Sequence, residues 1–268
     1  MNIQGVKYMA HEVDYELFGD DLQFVEIALD QAEAVVAEAG AMMYMEQGIQ
    51  METIFGDGSD QGNKSGLMGM LASAGKRVIT GESLFMTIFE NKDTRQRKVA
   101  FAAPYPGKII PMDLRNFGGK IICQKDAFLC AAKGTAVGIA FQKKIGVGFF
   151  GGEGFIMQKL EGDGLAFLHA GGCIVKRELQ PGETLRVDTG CLVALTSTVE
   201  YDVQFVGGIK NSIFGGEGLF FATLAGPGTV WLQSLPFNKM ADRIMTAARG
   251  TGSGSKEQGS ILNILNNL

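Results

Sequence analysis

The chain has little of several things, and each shortage excludes a class of chemistry. Its 268 residues include two histidines, four cysteines, six prolines and one tryptophan. With only His11 and His169, no H-x-x-x-H, H-E-x-x-H or clustered Cys/His spacing occurs, which rules out the usual zinc ligand sets. Cys123, Cys130, Cys173 and Cys191 form no C-x-x-C pair and sit among apolar neighbours. They predict buried, reduced thiols in a cytoplasmic protein rather than a disulfide framework or an activated nucleophile. No G-x-S-x-G elbow is present. Positive charge is not in excess: 24 basic against 29 acidic residues give a net charge of -5. That balance lacks the electropositive footprint of phosphate-backbone binding, so nucleic acid is not an expected partner. The short basic stretches at Arg95, Arg97 and Lys98 and at Lys143 and Lys144 read as solvated strand or turn faces. Long hydrophobic runs are missing too. Met1 to Glu16 carries Lys7, His11, Glu12 and Asp14 in place of the apolar core of a secretory signal. Gly218 to Asn238 is uncharged, but Gly226-Pro227-Gly228 divides it, so it reads as two strands around a turn.

What is abundant is glycine, 38 residues, in a chain that is 46% hydrophobic and 20% charged. A globular protein rich in tight turns follows, and a chain of this length buries roughly 70 to 75% of its unfolded surface. The alternation in Leu22 to Ile27 and Glu183 to Asp188 is that of half-buried strands. Aligning Gln31 to Met45 with Pro181 to Leu195 pairs Glu33 with Glu183, Glu38 with Asp188 and Gly40 with Gly190, an offset of 183 − 33 = 150. Half that offset falls on Pro106-Gly107 and Asp113, which makes Glu38, Asp113 and Asp188 equivalent and implies three copies of one unit. A second signature gives the same number. Gly81-Glu82-Ser83-Leu84-Phe85, Gly152-Glu153-Gly154-Phe155 and Gly216-Glu217-Gly218-Leu219-Phe220 each precede a turn ten residues on, at Asn91 to Thr94, Gly162 to Gly164 and Gly226 to Gly228. The expected fold is therefore all-β and mainly antiparallel, in three repeats over residues 1–97, 98–172 and 173–236. A glycine-rich insertion, Gly56 to Gly66, and a short helix at Leu67 to Ala74 belong to the first. Residues 237–268 make a C-terminal helix capped by Asn238, a flexible linker (Gly250 to Gly259) and an apolar tail (Ile261 to Leu265). The helix presents Met240, Ile244, Met245 and Ala248 on one face, expected to pack on the β body.

Few residues point to chemistry. Gly69 to Lys76 has five residues between its glycines and Arg77 where a phosphate loop needs Ser or Thr. Gly148 to Gly152 lacks the strand-to-helix setting of a dinucleotide fingerprint. Neither is a cofactor site, and no cofactor is expected. Threefold repetition would bring Glu82, Glu153 and Glu217 together as a candidate cation or polar site, unless each glutamate accepts backbone N–H bonds at its own hairpin. Phe149, Phe150 and Phe214, with Phe155, Phe220 and Phe221, are either an association surface or core. His169, inside Leu165-Ala-Phe-Leu-His-Ala, reads as a hydrogen-bonded strand histidine.

The set Val36-Ala-Glu38-Ala-Gly40-Ala-Met42, Gly81 to Phe85, Pro106-Gly107-Lys-Ile, Pro181-Gly182-Glu183 and Gly226-Pro227-Gly228-Thr-Val-Trp231-Leu-Gln233-Ser234-Leu235-Pro236 resembles the bacterial branch of the altered-inheritance-of-mitochondria family. That family is related in fold to the tryptophan RNA-binding attenuation protein. The resemblance implies three short double-stranded β-helix or β-sandwich units without established enzymatic activity in bacteria. Mitochondrial relatives are implicated in inner-membrane organisation and complex assembly. The attenuation protein's RNA function does not carry over, because the repeated basic edge it needs is missing from this acidic chain. The expectation is a non-enzymatic, homo-oligomeric scaffold for protein or membrane-associated assemblies, since repeated β units leave strand edges that must be covered. Two alternatives stand beside it: a small-ligand-binding regulator with a pocket between repeats, and an enzyme built from carboxylates of different repeats.

Overall fold

The computed structural model describes residues 9–55, 85–143, 154–205 and 220–250. In chain order the strands begin with β1 (Asp14–Phe18), β2 (Phe24–Leu29), β3 (Ala34–Glu38), β4 (Met42–Met45), β5 (Ile49–Phe55), β6 (Phe85–Asn91) and β7 (Arg97–Ala102). Then follow β8 (Gly107–Asp113), β9 (Lys120–Gln124), β10 (Phe128–Ala132), β11 (Ala136–Lys143), β12 (Phe155–Glu161) and β13 (Leu165–Gly171). The last are β14 (Ile174–Leu179), β15 (Thr184–Asp188), β16 (Leu192–Thr196), β17 (Glu200–Phe205), β18 (Phe220–Ala225) and β19 (Gly228–Gln233), before helix α1 (Phe237–Gly250).

These strands form four antiparallel sheets. The first has the order β1-β2-β7-β4, the second β5-β6-β3-β10-β13-β8, the third β11-β12-β9-β16-β19-β14 and the fourth β15-β18-β17. Adding six to each strand number converts the second order into the third. The same irregularity also recurs: the pairing slips by one residue at Met43 in β4, Leu129 in β10 and Val193 in β16.

Three cores hold the sheets as a stack. Val25, Ile27 and Leu29 of the first sheet meet Val35, Ala37 and Phe167 of the second. Val36, Met112 and Leu168 on the opposite face of the second sheet meet Ile121, Cys123 and Trp231 of the third. Ile122, Met157 and Leu192 of the third meet Val187, Val203 and Leu224 of the fourth. The outer sheets alternate, as in Phe24–Leu29, where every second residue is buried. The inner strands are apolar on both faces, and β10 is buried at all five positions. The bulges set this division. In β10, Phe128 belongs to one core and both Leu129 and Cys130 to the other, because the extra residue shifts the phase of the pleat.

The register corrects one equivalence. Glu38 faces Met86, Gln124 faces Met157 and Asp188 faces Phe221, so Gln124 rather than Asp113 holds the corresponding place. Asp113 instead ends β8 and caps the 3-10 turn Leu114–Phe117, accepting from Arg115 N at 3.0 Å. Asp188 caps its own 3-10 turn through Gly190 N at 2.8 Å. The two aspartates share a capping role, which is the likeness that the sequence spacing followed. The turns at Asn91 to Thr94, Gly162 to Gly164 and Gly226 to Gly228 join β6 to β7, β12 to β13, and β18 to β19, with Asn91 ending β6 and Gly228 starting β19.

The helix also departs from expectation. It starts at Phe237, one residue before Asn238, and Ile244 and Met245 are 61% and 50% exposed rather than packed on the sheets. Its first turn is what is held: Lys239 Nζ lies 3.0 Å from Asp188, and the Phe237 ring lies 5.4 Å from that of Tyr105. No described helix is long and apolar enough to cross a membrane. The expected insertion and short helix, the linker beyond Gly250 and the apolar tail lie outside the described residues.

Candidate functional site

Glu82, Glu153 and Glu217, and Phe149, Phe150 and Phe214, lie outside the described residues. Of the other hairpin phenylalanines, Phe155 is fully buried in the third core, Phe220 is half-buried against it, and Phe221 is half-buried on the strand's other face. The cysteine expectation holds for Cys123 and Cys130, which are buried, with burial pushing both thiols well above their ordinary range. It fails for Cys173, which is exposed in the short link between β13 and β14, and for the half-buried Cys191. Arg97 and Lys98 are ion-paired rather than simply solvated, Arg97 with Asp93 and Lys98 with Glu26.

The most unusual described surface is the β4 edge. Its counterparts in the bulge pattern, β10 and β16, are each paired on both sides, β10 with β3 and β13 and β16 with β9 and β19. Among the described residues β4 pairs only with β7. The sequence there is Met42-Met43-Tyr44-Met45, and the last three are 54%, 38% and 39% exposed. Met51, on the edge strand β5 that follows, is 55% exposed. Polar or charged residues normally guard such an edge, whereas flexible thioethers are suited to packing against a partner.

Aromatic rings continue this surface across the outer face of the first sheet. Phe18 stacks on Phe24 at 4.8 Å, and Phe24 meets Tyr44 edge-on at 6.5 Å. Glu26 lies beside them, bonded to the Tyr44 hydroxyl and to Lys98 Nζ at 2.5 Å. The Lys98 bond, followed by the one from Tyr44, holds the Glu26 carboxyl below its ordinary range, while the carboxylate pushes the Tyr44 phenol up to about 12. Tyr44 is thus fixed as a neutral donor at the edge. Sequence reasoning missed this site. The signal was the run of three methionines and a tyrosine in a strand-length segment, which also suits a buried strand.

A second cluster lies inside, where α1 joins the sheets. His169, 1% exposed, places Nε2 at 3.1 Å from the Tyr105 carbonyl and meets the Tyr105 ring edge-on at 4.3 Å. Its Nδ1 has no hydrogen-bond partner. Burial pushes the imidazole down to about 4 and the Tyr105 phenol up to about 12, so both are neutral near pH 7. Nearby, Gln233 accepts from Gly171 N at 2.7 Å and donates to Gly190 O at 2.8 Å. His169 is hydrogen-bonded within a strand, as its context predicts. Among the described residues no group of three or more His, Cys, Asp or Glu is arranged to hold a metal ion.

A family model described as "Mitochondrial biogenesis AIM24" matches residues 15–235. An uncharacterised protein of Streptococcus pyogenes serotype M6 is 31% identical over 219 residues, 81% of this chain and 83% of the relative. A crystal structure of a Streptococcus pyogenes protein superposes with a TM-score of 0.69 at 24% identity, covering 88% of this chain and all of the other, which shows a shared fold.

Proposed function

The chain belongs to the mitochondrial biogenesis AIM24 family, and on that footing we propose that it is a non-enzymatic scaffold that works by self-association. The observation that supports this most is the exposed β4 edge. Methionines and a tyrosine stand there on a strand that, among the described residues, is paired along one side only, at the position where β10 and β16 are paired along both. Covering such an edge removes apolar surface from water and satisfies a row of backbone donors and acceptors in one step. The polar contacts of Tyr44 and Glu26 orient that surface.

Native mass spectrometry of the protein taken from its source tests the reading. A discrete multiple of 28.7 kDa without a bound small molecule is the expected result. A 28.7 kDa species at tens of micromolar overturns the scaffold reading. A constant extra mass per chain, in the range of a small molecule, replaces it with the ligand-binding alternative.

A further inference from the structure

We propose that a second copy of the chain covers the β4 edge: β15 of one protomer pairs antiparallel with β4 of the next, with Met45 opposite Arg186. This rests on the reading of β4 as an association edge and adds the partner strand and its register. Within one chain the same join occurs twice. β3 pairs with β10, with Ala37 opposite Cys130 and Val36 opposite Ala131. β9 pairs with β16, with Cys123 opposite Ala194 and Ile122 opposite Leu195. Each join fuses a three-stranded group ending in β3 or β9 to another ending in β10 or β16, which makes the two six-stranded sheets. The groups left over are the ends of the stack. The first sheet carries β2-β7-β4, the counterpart of β8-β13-β10, and the fourth carries β15-β18-β17, the counterpart of β3-β6-β5. Among the described residues, β4 and β15 are therefore the two edges whose counterparts are joined and which are themselves open.

The register follows from the internal joins. Val187 corresponds to Ala37 and Cys123, since these face Ala222, Thr87 and Gln158 at the same step of their hairpins. Tyr44 corresponds to Cys130 and Ala194 through their pairing with Ala100, Phe167 and Trp231. The intermolecular pairs are then Tyr44 with Val187, Met45 with Arg186 and Glu46 with Leu185. The side-chain faces agree. Ala37 and Cys130 point into one core, and Cys123 and Ala194 into another. Val187 points into the third core, and Tyr44, on the outer face of the first sheet, would extend it. The bulge at Met43 gives β4 the local shape of β10 and β16. α1 reaches the end of β15 at Asp188, and Arg186 remains exposed beside it. Because each protomer offers different edges to its two neighbours, the contact is head-to-tail rather than two-fold.

Paired residues in adjacent strands lie within disulfide reach, roughly 4.5 to 5.5 Å between Cα atoms, so cysteine cross-linking reads the register. In a Cys173→Ser, Cys191→Ser background of the full chain, which leaves only the buried Cys123 and Cys130, Met45→Cys with Arg186→Cys under mild oxidation is expected to give a ladder of dimers, trimers and higher species on non-reducing gels. Met45→Cys alone cannot ladder, and Met45→Cys with Glu200→Cys, at the far edge of the fourth sheet, is expected to stay uncross-linked. Both Met45 and Arg186 are exposed, so the variants keep their cores, which thermal melts verify. A discrete oligomer that cross-links only through Glu200, or not at all, overturns the β15–β4 join and leaves self-association standing. Loss of both the ladder and the oligomer from the unmodified chain overturns the join together with the scaffold reading.

Discussion

Replacing His169 by glutamine is expected to remove a defined part of the protein's acid sensitivity. His169 sits at the place in β13 that Gln233 occupies in β19: His169 faces Ile109 one step after Leu168 faces Ile110, and Gln233 faces Ile174 one step after Leu232 faces Val175. Glutamine is therefore a residue that the architecture already accepts there, and its amide can donate to the Tyr105 carbonyl. In the folded protein burial depresses the imidazole to about 4, whereas the unfolded chain protonates near 6.5. Between those values the unfolded state binds the extra proton, so stability is complete above pH 6.5 and is lost as pH falls toward 4. The gap corresponds to about 3 kcal/mol, of which about 2 kcal/mol is gone at pH 5. Urea unfolding at pH 7.5 and pH 5, followed through Trp231 fluorescence, measures the loss in each protein. The unmodified chain should lose about 2 kcal/mol more than His169→Gln, because every other titrating group is common to both. Equal losses, within about 0.5 kcal/mol, would refute the neutral, buried imidazole and with it the polar seam beneath α1.

Two further substitutions test the packing. Asn91 is fully buried between β6 and β7, donating to Leu29 O and Arg95 O at 2.8 Å each and accepting from Asp93 N at 2.9 Å. Asn91→Ala strands two carbonyls and one N–H and should cost about 3 kcal/mol in urea unfolding, whereas a loss below about 1 kcal/mol would show that water replaces those bonds. Gly171→Ala places a Cβ against the Leu235 carbonyl and the Tyr105 ring, so the link into α1 must move. The melting temperature should fall by roughly 6 to 12 °C, and an unchanged melt would mean that the link yields without cost.

Local chemistry was the legible part of the fold. The turns ten residues after each Gly-Glu pair, the strands of Gly218 to Asn238 and the hydrogen-bonded His169 all follow from short-range patterns. The register was harder, because Asp113 carries the same capping signature as Asp188 while six residues separate β8 from β9, against four between β14 and β15. Strand pairs such as β3 with β10 join residues far apart in sequence, and no spacing rule specifies which edges meet. The helix shows the same limit. The period of Met240, Ile244 and Met245 identifies an apolar face but does not say what the face touches.

The order of the described strands explains why the edges of β4 and β15 are open. After β7 and after β13 a strand follows, β8 or β14, and it lies in the next layer of the stack beside β13 or β19. After β19 the chain passes through Pro236 into α1 instead, so no later segment among the described residues supplies a strand for β15. At the other end β1 covers the free side of β2, and the β4 side is left with methionines. Stacked architectures normally end in polar caps, because an unfinished layer exposes both apolar side chains and unpaired backbone. Here β15 carries Thr184 and Arg186 toward solvent and β4 carries Met43, Tyr44 and Met45, so only one of the two open edges is protected by polarity. Two copies of the apolar edge meeting each other would leave β15 unused and would align neither bulge with an established partner. The polar edge meeting the apolar one repeats a join that the chain makes twice within itself, and it enlarges the third core as it forms.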